Sequence, residues 1–240
     1  MGRRQLIGRA GWVAFALFAA LTILDLAAPG LHIPAAVQGL ATAGLVVAFA
    51  ASTRAWGATS IGALVAMLLA WGGDTLPLFT PGSERAVAAA LFLGAVGGYA
   101  IALAPMWLRT VDGLRLLLAV PYAAVILGLV IACGDGAGHL RPLVLAYAVT
   151  LALMAFLAAG VNALTWVGGT LLLMSSSVLG MSWFLPGAWV PHAEMWVMLA
   201  YFAGHAALVA GILRAVAVQP RRAGRDVDGF GGATLVIVEG

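Results

Sequence analysis

Charge is scarce in this chain, with only 9% of its 240 residues being Asp, Glu, Lys or Arg. A soluble domain carries roughly a quarter, so the composition excludes one. Lysine is missing altogether and all 12 basic residues are arginine, which, with the abundant Ala and Gly, points to a GC-rich bacterial genome. Cys133 is the single cysteine, so it has no partner for an intramolecular disulfide or a CxxC metal or redox site. Segments of about 10 residues with alternating polarity, the mark of a membrane β-barrel, are absent, as are a G-x-S-x-G elbow, an HExxH pair and a Walker loop. The net charge of +3 does not mark a nucleic-acid surface, because the arginines are dispersed along the chain.

What fills the chain instead is apolar: 63% hydrophobic residues and a mean hydropathy of +1.07. A membrane-crossing helix needs about 20 mostly apolar residues, so this length accommodates about eight and no second domain. Apolar windows bounded by charge, Pro or Gly clusters place spans at 11–27, 35–51, 57–74, 86–108, 114–134, 141–160, 164–184 and 193–217. The expected fold is an all-α polytopic bundle over residues 1–218, followed by a polar, mobile cytoplasmic tail, 219–240. With the N-terminus inside, Arg3, Arg4, Arg9, Arg54, Arg109, Arg115, Arg214, Arg221, Arg222 and Arg225 fall on the inner side and only Arg85 and Arg141 outside. That asymmetry predicts that both termini are cytoplasmic. Pro29 directly after the first apolar stretch, and the length of that stretch, favour an uncleaved span over a signal peptide. A bacterial plasma-membrane location follows as the expectation.

A short echo joins the two halves. Phe79-Thr-Pro-Gly82 after the third span resembles Phe184-Leu-Pro-Gly187 after the seventh, and each precedes a helix with Gly near its middle, Gly97 or Gly204. A parallel repeat of four helices would produce this; so would chance.

An ionisable side chain inside a span costs at least about 2.5–3.5 kcal/mol and is a functional candidate by default. Asp74 ends the third span behind two glycines; it either snorkels outward or serves a site. Asp25 ends the first span and reads as a solvated acid. In the eighth span Glu194, Met198, Tyr201 and His205, spaced four, three and four apart, share one helical face. Such a stripe must face the bundle interior or a wet cavity, as packing glue or as a site wall. Ser175, Ser176 and Ser177 fall near the middle of the seventh span, where serines commonly return their hydroxyls to a carbonyl one turn back. Gly94 and Gly98 have the spacing of a helix contact, and Tyr99 could turn its hydroxyl inward. The histidines at 32, 139, 192 and 205 are scattered and lack metal-ligand spacing.

These residues resemble a known family. Leu69-Ala-Trp-Gly-Gly-Asp-Thr-Leu-Pro77 is similar to the third-helix Gly-Asp motif of the YhhN-like, or lysoplasmalogenase, membrane proteins. Val167-Gly-Gly-Thr-Leu-Leu-Leu-Met-Ser-Ser-Ser-Val-Leu-Gly180, followed by Trp196-Val-Met-Leu-Ala-Tyr-Phe-Ala-Gly-His-Ala-Ala-Leu-Val209, resembles its C-terminal signature. The resemblance implies hydrolysis of the vinyl ether bond of lysoplasmalogens to a fatty aldehyde and glycerophospho-ethanolamine or -choline. It implies Asp74 as the catalytic residue, a general acid or a water-orienting base, Ser175, Ser176, Tyr99, Tyr201 and His205 as substrate-binding residues, and a lysophospholipid or other membrane lipid as partner. Such a reaction needs a carboxylic acid still protonated near neutral pH, which burial in a low-dielectric site favours. No motif implies a cofactor or metal, and the reaction needs neither. Where the family has a Ser-Asp pair in the seventh helix, this chain has Ser175 and Ser176; where its fourth helix often carries His or Gln before a Tyr, this chain has Gly94-Ala-Val-Gly-Gly-Tyr99. His205 stands where Gln or another polar residue is expected. Three functions follow from these features: a lyso-ether-lipid hydrolase, a catalytically impaired lipid-binding descendant, and, last, a small-molecule transporter.

Overall fold

The computed structural model describes residues 2–28, 31–107 and 113–230. Among these the chain forms eight α-helices and no strand: α1 (Arg3–Ala27), α2 (Ala36–Ser52), α3 (Ala58–Thr75), α4 (Glu84–Leu103), α5 (Gly113–Cys133), α6 (Arg141–Ala159), α7 (Ala163–Phe184) and α8 (Ala193–Phe230). Short 3-10 turns follow α3 and α4 and precede α6. Six helices are long and apolar enough to cross a membrane; α2 and the Ala119–Cys133 part of α5 are shorter apolar helices. Pro29, Arg109 and the last ten residues of the expected tail lie outside the described residues.

The helices match the hydropathy windows, with local differences that have physical causes. Helix α1 begins eight residues before its window because arginine is a good helix former, so Arg3, Arg4 and Arg9 extend the helix although their charge excludes them from a hydropathy count. Helix α4 ends at Leu103, short of 108, because Pro105 has no N–H to continue the ladder and a 3-10 turn, Ala104–Met106, takes over. Asn162 starts α7 with a full capping box: its side chain accepts from the Leu164 and Thr165 amides, and Thr165 Oγ1 accepts from the Asn162 amide. Gly82 and Gly187, the two ends of the echoed Pro-Gly turns, both have left-handed backbones, at φ 86° and 76°. The echo therefore extends to backbone conformation.

Packing proceeds through hairpins. Helix α1 lies against α2, α3 against α4 and α7 against α8, and α1 meets α8 to close a ring completed by α6 between α4 and α7. Helix α5 stands outside that ring, against α6 and α7. Between lipid-bathed helices close van der Waals contact replaces the hydrophobic drive, which favours small residues. At the α1–α2 crossing a Cβ on Gly44 would sit 2.8 Å from the Phe15 amide; at α3–α4 one on Gly98 would sit 3.0 Å from Ala66 Cβ; at α7–α8 one on Gly204 would sit 3.1 Å from the Gly168 carbonyl. The expected Gly94–Gly98 contact is thus real and is made with α3, Gly94 facing Leu69. In the two later hairpins the crossing glycines are Gly98 and Gly204, so the counterpart of Gly204 is Gly98 rather than Gly97, which faces Thr150 on α6.

Candidate functional site

Asp74 does not snorkel outward. It occupies the second-last position of α3, is 7% exposed, and accepts hydrogen bonds from two other helices. Gln38 Nε2 of α2 donates to Oδ1 at 2.9 Å, while Tyr201 of α8 donates to Oδ2 at 2.8 Å and Thr42 of α2 donates to the same oxygen. Gln38 and Thr42 stand one turn apart on one face of α2, so a single helix supplies two of the three donors. Tyr201 lies eight residues into α8, about 12 Å of helix from its start. A buried carboxyl is costly unless hydrogen-bonded, and this one has three partners.

Asp74 lines a cavity of about 330 Å³ together with Gln38, Phe92, Ser175, Ser176 and Tyr201. That size falls within the range of small-ligand sites. Two further spaces share its walls. On the side of the α8 start lies a wider vestibule of about 580 Å³, lined by Asp25, Arg85 and Glu194 among others, with Gln38, Trp183 and Met198 common to both spaces. Among the described residues no ion pair joins these three charges; Arg85 instead lies over the Trp183 ring, 5.8 Å from its centroid. In another direction a mostly apolar groove runs between α5, α6 and α7 past Ile126, Leu129, Val144 and Leu151, sharing Phe92, Tyr147, Ser176 and Trp183 with the Asp74 cavity. A charged mouth, a central carboxyl and an apolar channel thus meet at one point.

The α8 stripe faces inward along its length: Glu194 and Met198 line the vestibule, Met198 and Tyr201 the Asp74 cavity, and Tyr201 and His205 a small space of about 20 Å³ beneath it. Tyr99, 1% exposed, lines that lower space as well, and its hydroxyl has no protein partner. Tyr99 and His205 thus lie below Tyr201 and do not line the Asp74 cavity. The three serines divide their roles. Ser177 bonds back to the Leu173 carbonyl, Ser175 donates across to the Val197 carbonyl of α8 at 2.9 Å, and Ser176 pairs with the Tyr147 hydroxyl of α6 at 2.7 Å. Ser175 holds α7 to α8 while Ser176 presents a hydroxyl to the cavity wall. Asp25 is tied at its helix end by the Ile33 amide. Among the described residues no three His, Cys, Asp or Glu side chains converge as metal ligands would.

Gln38, Thr42, Tyr147 and Arg85 also line these spaces or bond to Asp74, beyond the residues expected from the sequence. The first two carried a readable signal, a polar pair at i and i+4 in an otherwise apolar helix.

Comparison with known proteins gives one match: the model of the YhhN family fits residues 33–212, most of the chain and all four residues of the Asp74 hydrogen-bond cluster. No curated protein and no solved structure matches it.

Proposed function

The chain belongs to the YhhN family, and from that premise we propose that it is a lysoplasmalogenase-like membrane hydrolase, cleaving the vinyl ether bond of lyso-ether phospholipids. The observation that carries the reading is the position of Asp74, a buried carboxyl where a charged vestibule meets an apolar groove. A lysolipid has the same polarity order: a charged headgroup, a reactive linkage and one alkyl chain. With the headgroup in the vestibule and the chain between α5 and α7, the linkage falls beside Asp74.

In the reaction, the acid form of Asp74 gives its proton to the alkene carbon remote from oxygen, producing an oxocarbenium ion beside the new carboxylate. Gln38, Thr42 and Tyr201 hold that carboxylate in place, and their fixed dipoles need no rearrangement as charge develops. Water adds to the oxocarbenium carbon and returns a proton to Asp74. The hemiacetal then collapses to fatty aldehyde and glycerophospho-alcohol, and Asp74 ends the cycle as it began. Ser176 and Tyr147 supply hydroxyls to the opposite wall, and Ser175 and Tyr201 shape it.

A second reading, a lipid-binding protein with impaired catalysis, draws on Ser176 standing where the family carries an aspartate. Purified protein in detergent given a lysoplasmalogen separates the two. Aldehyde release from the vinyl ether lipid, with none from an ester-linked lysolipid of equal chain length, supports the hydrolase. Lipid that binds and is never cleaved, with activity appearing only in Ser176→Asp, supports the second reading and sinks the first.

A further inference from the structure

Helix α7 presents a row of residues to the groove that leads away from Asp74, and the row has a gap at Gly180. Ser176, Ser177, Trp183 and Phe184 line the groove, and so does Gly180 between them. Each of the four stands three or four positions from Gly180, so all five share one helical face. Helical geometry therefore aims the missing side chain of Gly180 at the groove. A Cβ built there would meet nothing within 4 Å.

This glycine differs from those at the hairpin crossings. A Cβ on Gly44, Gly98 or Gly204 would strike the neighbouring helix, so close packing accounts for them. At Gly180 no neighbour needs the room, and glycine is a poor helix former; packing gives no reason for it. The polar groups around the gap are already engaged. Ser177 donates to the Leu173 carbonyl, Ser176 pairs with Tyr147, and the Gly180 carbonyl receives the Cys133 thiol of α5 at 3.7 Å. What the groove offers a guest is then the apolar surface of Ile126, Leu129, Val130 and Val144. Such a surface suits an alkyl chain and offers nothing to a polar one.

We propose that Gly180 is a specificity-determining residue: the room left by its missing side chain is the passage by which a long alkyl chain leaves the Asp74 cavity and lies between α5 and α7. The inference rests on the lysolipid reading above and takes from it only the place of the chain. Ser176 belongs to the walls of both cavity and groove, and Gly180 lies about 6 Å further along α7. A butyl chain starting beside Asp74 ends near that point, whereas a hexadecyl chain has to cross it. Position 180 thus discriminates by chain length and leaves the reacting linkage alone.

Gly180→Leu fills the gap without a collision, and Gly128→Leu is its control, since a Cβ on Gly128 also meets nothing within 4 Å but Gly128 does not line the groove. Both variants should keep the wild-type thermal midpoint in detergent. A saturated hexadecyl ether of glycerophosphocholine, which has no vinyl ether to cleave, should raise the midpoint of wild type and Gly128→Leu, with about half or more of that rise lost in Gly180→Leu. For vinyl ether lysolipids, kcat/KM of Gly180→Leu should fall about 10- to 200-fold with a hexadecenyl chain and stay within about twofold with a butenyl chain. The passage is overturned by a hexadecyl lipid that leaves the wild-type midpoint unmoved, by an equal response of Gly180→Leu and wild type, by an equal loss in Gly128→Leu, or by a lowered midpoint of Gly180→Leu without lipid. If wild-type protein releases no aldehyde, the hydrolase reading fails alone, because the midpoints with the uncleavable lipid still decide the passage.

Discussion

The hairpins α3–α4 and α7–α8 are built alike and carry different polar groups. Each crosses at small residues, Gly62, Ala66, Gly98 and Ala102 in one and Gly168 and Gly204 in the other, and each follows its first helix with a turn ending in a left-handed glycine. Yet α3 carries Asp74 with three hydrogen-bond donors, whereas at the facing wall α7 offers Ser175 and Ser176, one bonded to a carbonyl and one to a tyrosine. The packing frame and the chemical groups are thus independent features. A helix pair can keep the crossing while the buried carboxyl is present in one pair and absent from the other.

The largest test of that separation is Asp74→Asn. The amide keeps the size and most of the hydrogen bonds of the carboxyl but has no proton to give, so aldehyde release should fall by about 10²- to 10⁴-fold while gel filtration and helical content stay as in wild type. Loss of the folded peak together with activity would mean that frame and chemistry are coupled after all. The reverse change strikes the frame alone. In Gly168→Ile the new side chain collides with the Leu208 backbone, and overpacking of this kind costs about 1–3 kcal/mol, read as a lowered thermal midpoint. A change of equal sign is expected for Gly98→Ile, whose side chain meets Ala66; tolerance in one hairpin and not the other would break the comparison.

Smaller effects sharpen it. Tyr201→Phe removes one donor to Asp74 Oδ2 and leaves Thr42 on that oxygen. Interhelical hydrogen bonds in membranes average about 0.6 kcal/mol and reach about 1.7, so a modest midpoint loss is expected, beside a rate loss smaller than that of Asp74→Asn. Smallest of all is Thr170→Val. It deletes the 2.6 Å bond between Thr170 and Tyr122 that, with Trp166 Nε1 donating to the same tyrosine, ties α5 to α7. We expect about 0.6 kcal/mol and no change in rate at saturating lipid. A large rate loss there would show that α5 contributes more than a groove wall.

Much of this architecture was legible in the chain. Eight apolar runs became eight helices because hydropathy reports the same burial that the bilayer demands, and the α8 stripe of Glu194, Met198, Tyr201 and His205 was readable because helical periodicity alone puts it on one face. Asp74 stood out as a charge at the end of an apolar run. Gln38 and Thr42 were legible only as a polar pair one turn apart, since uncharged polar residues are tolerated in a span and no single-helix rule says which will meet a carboxyl 32 or 36 residues away. The Tyr147–Ser176 bond and the place of α5 outside the ring depend on which helices become neighbours, and periodicity within one helix carries no such information. The serine run showed the same limit: the back-bonding expected of serines describes Ser177, while Ser175 and Ser176 turn to other helices.

Proton delivery from Asp74 to an alkene carbon is the step on which the proposed reaction turns, and one measurement addresses it directly. Wild-type protein is given a lysoplasmalogen in heavy water, the aldehyde is trapped as it forms, and its mass is read. One deuterium is expected on the carbon next to the aldehyde group in each product molecule, and almost no product from Asp74→Asn under the same conditions. Aldehyde released without that deuterium, or released at the wild-type rate by Asp74→Asn, would contradict it.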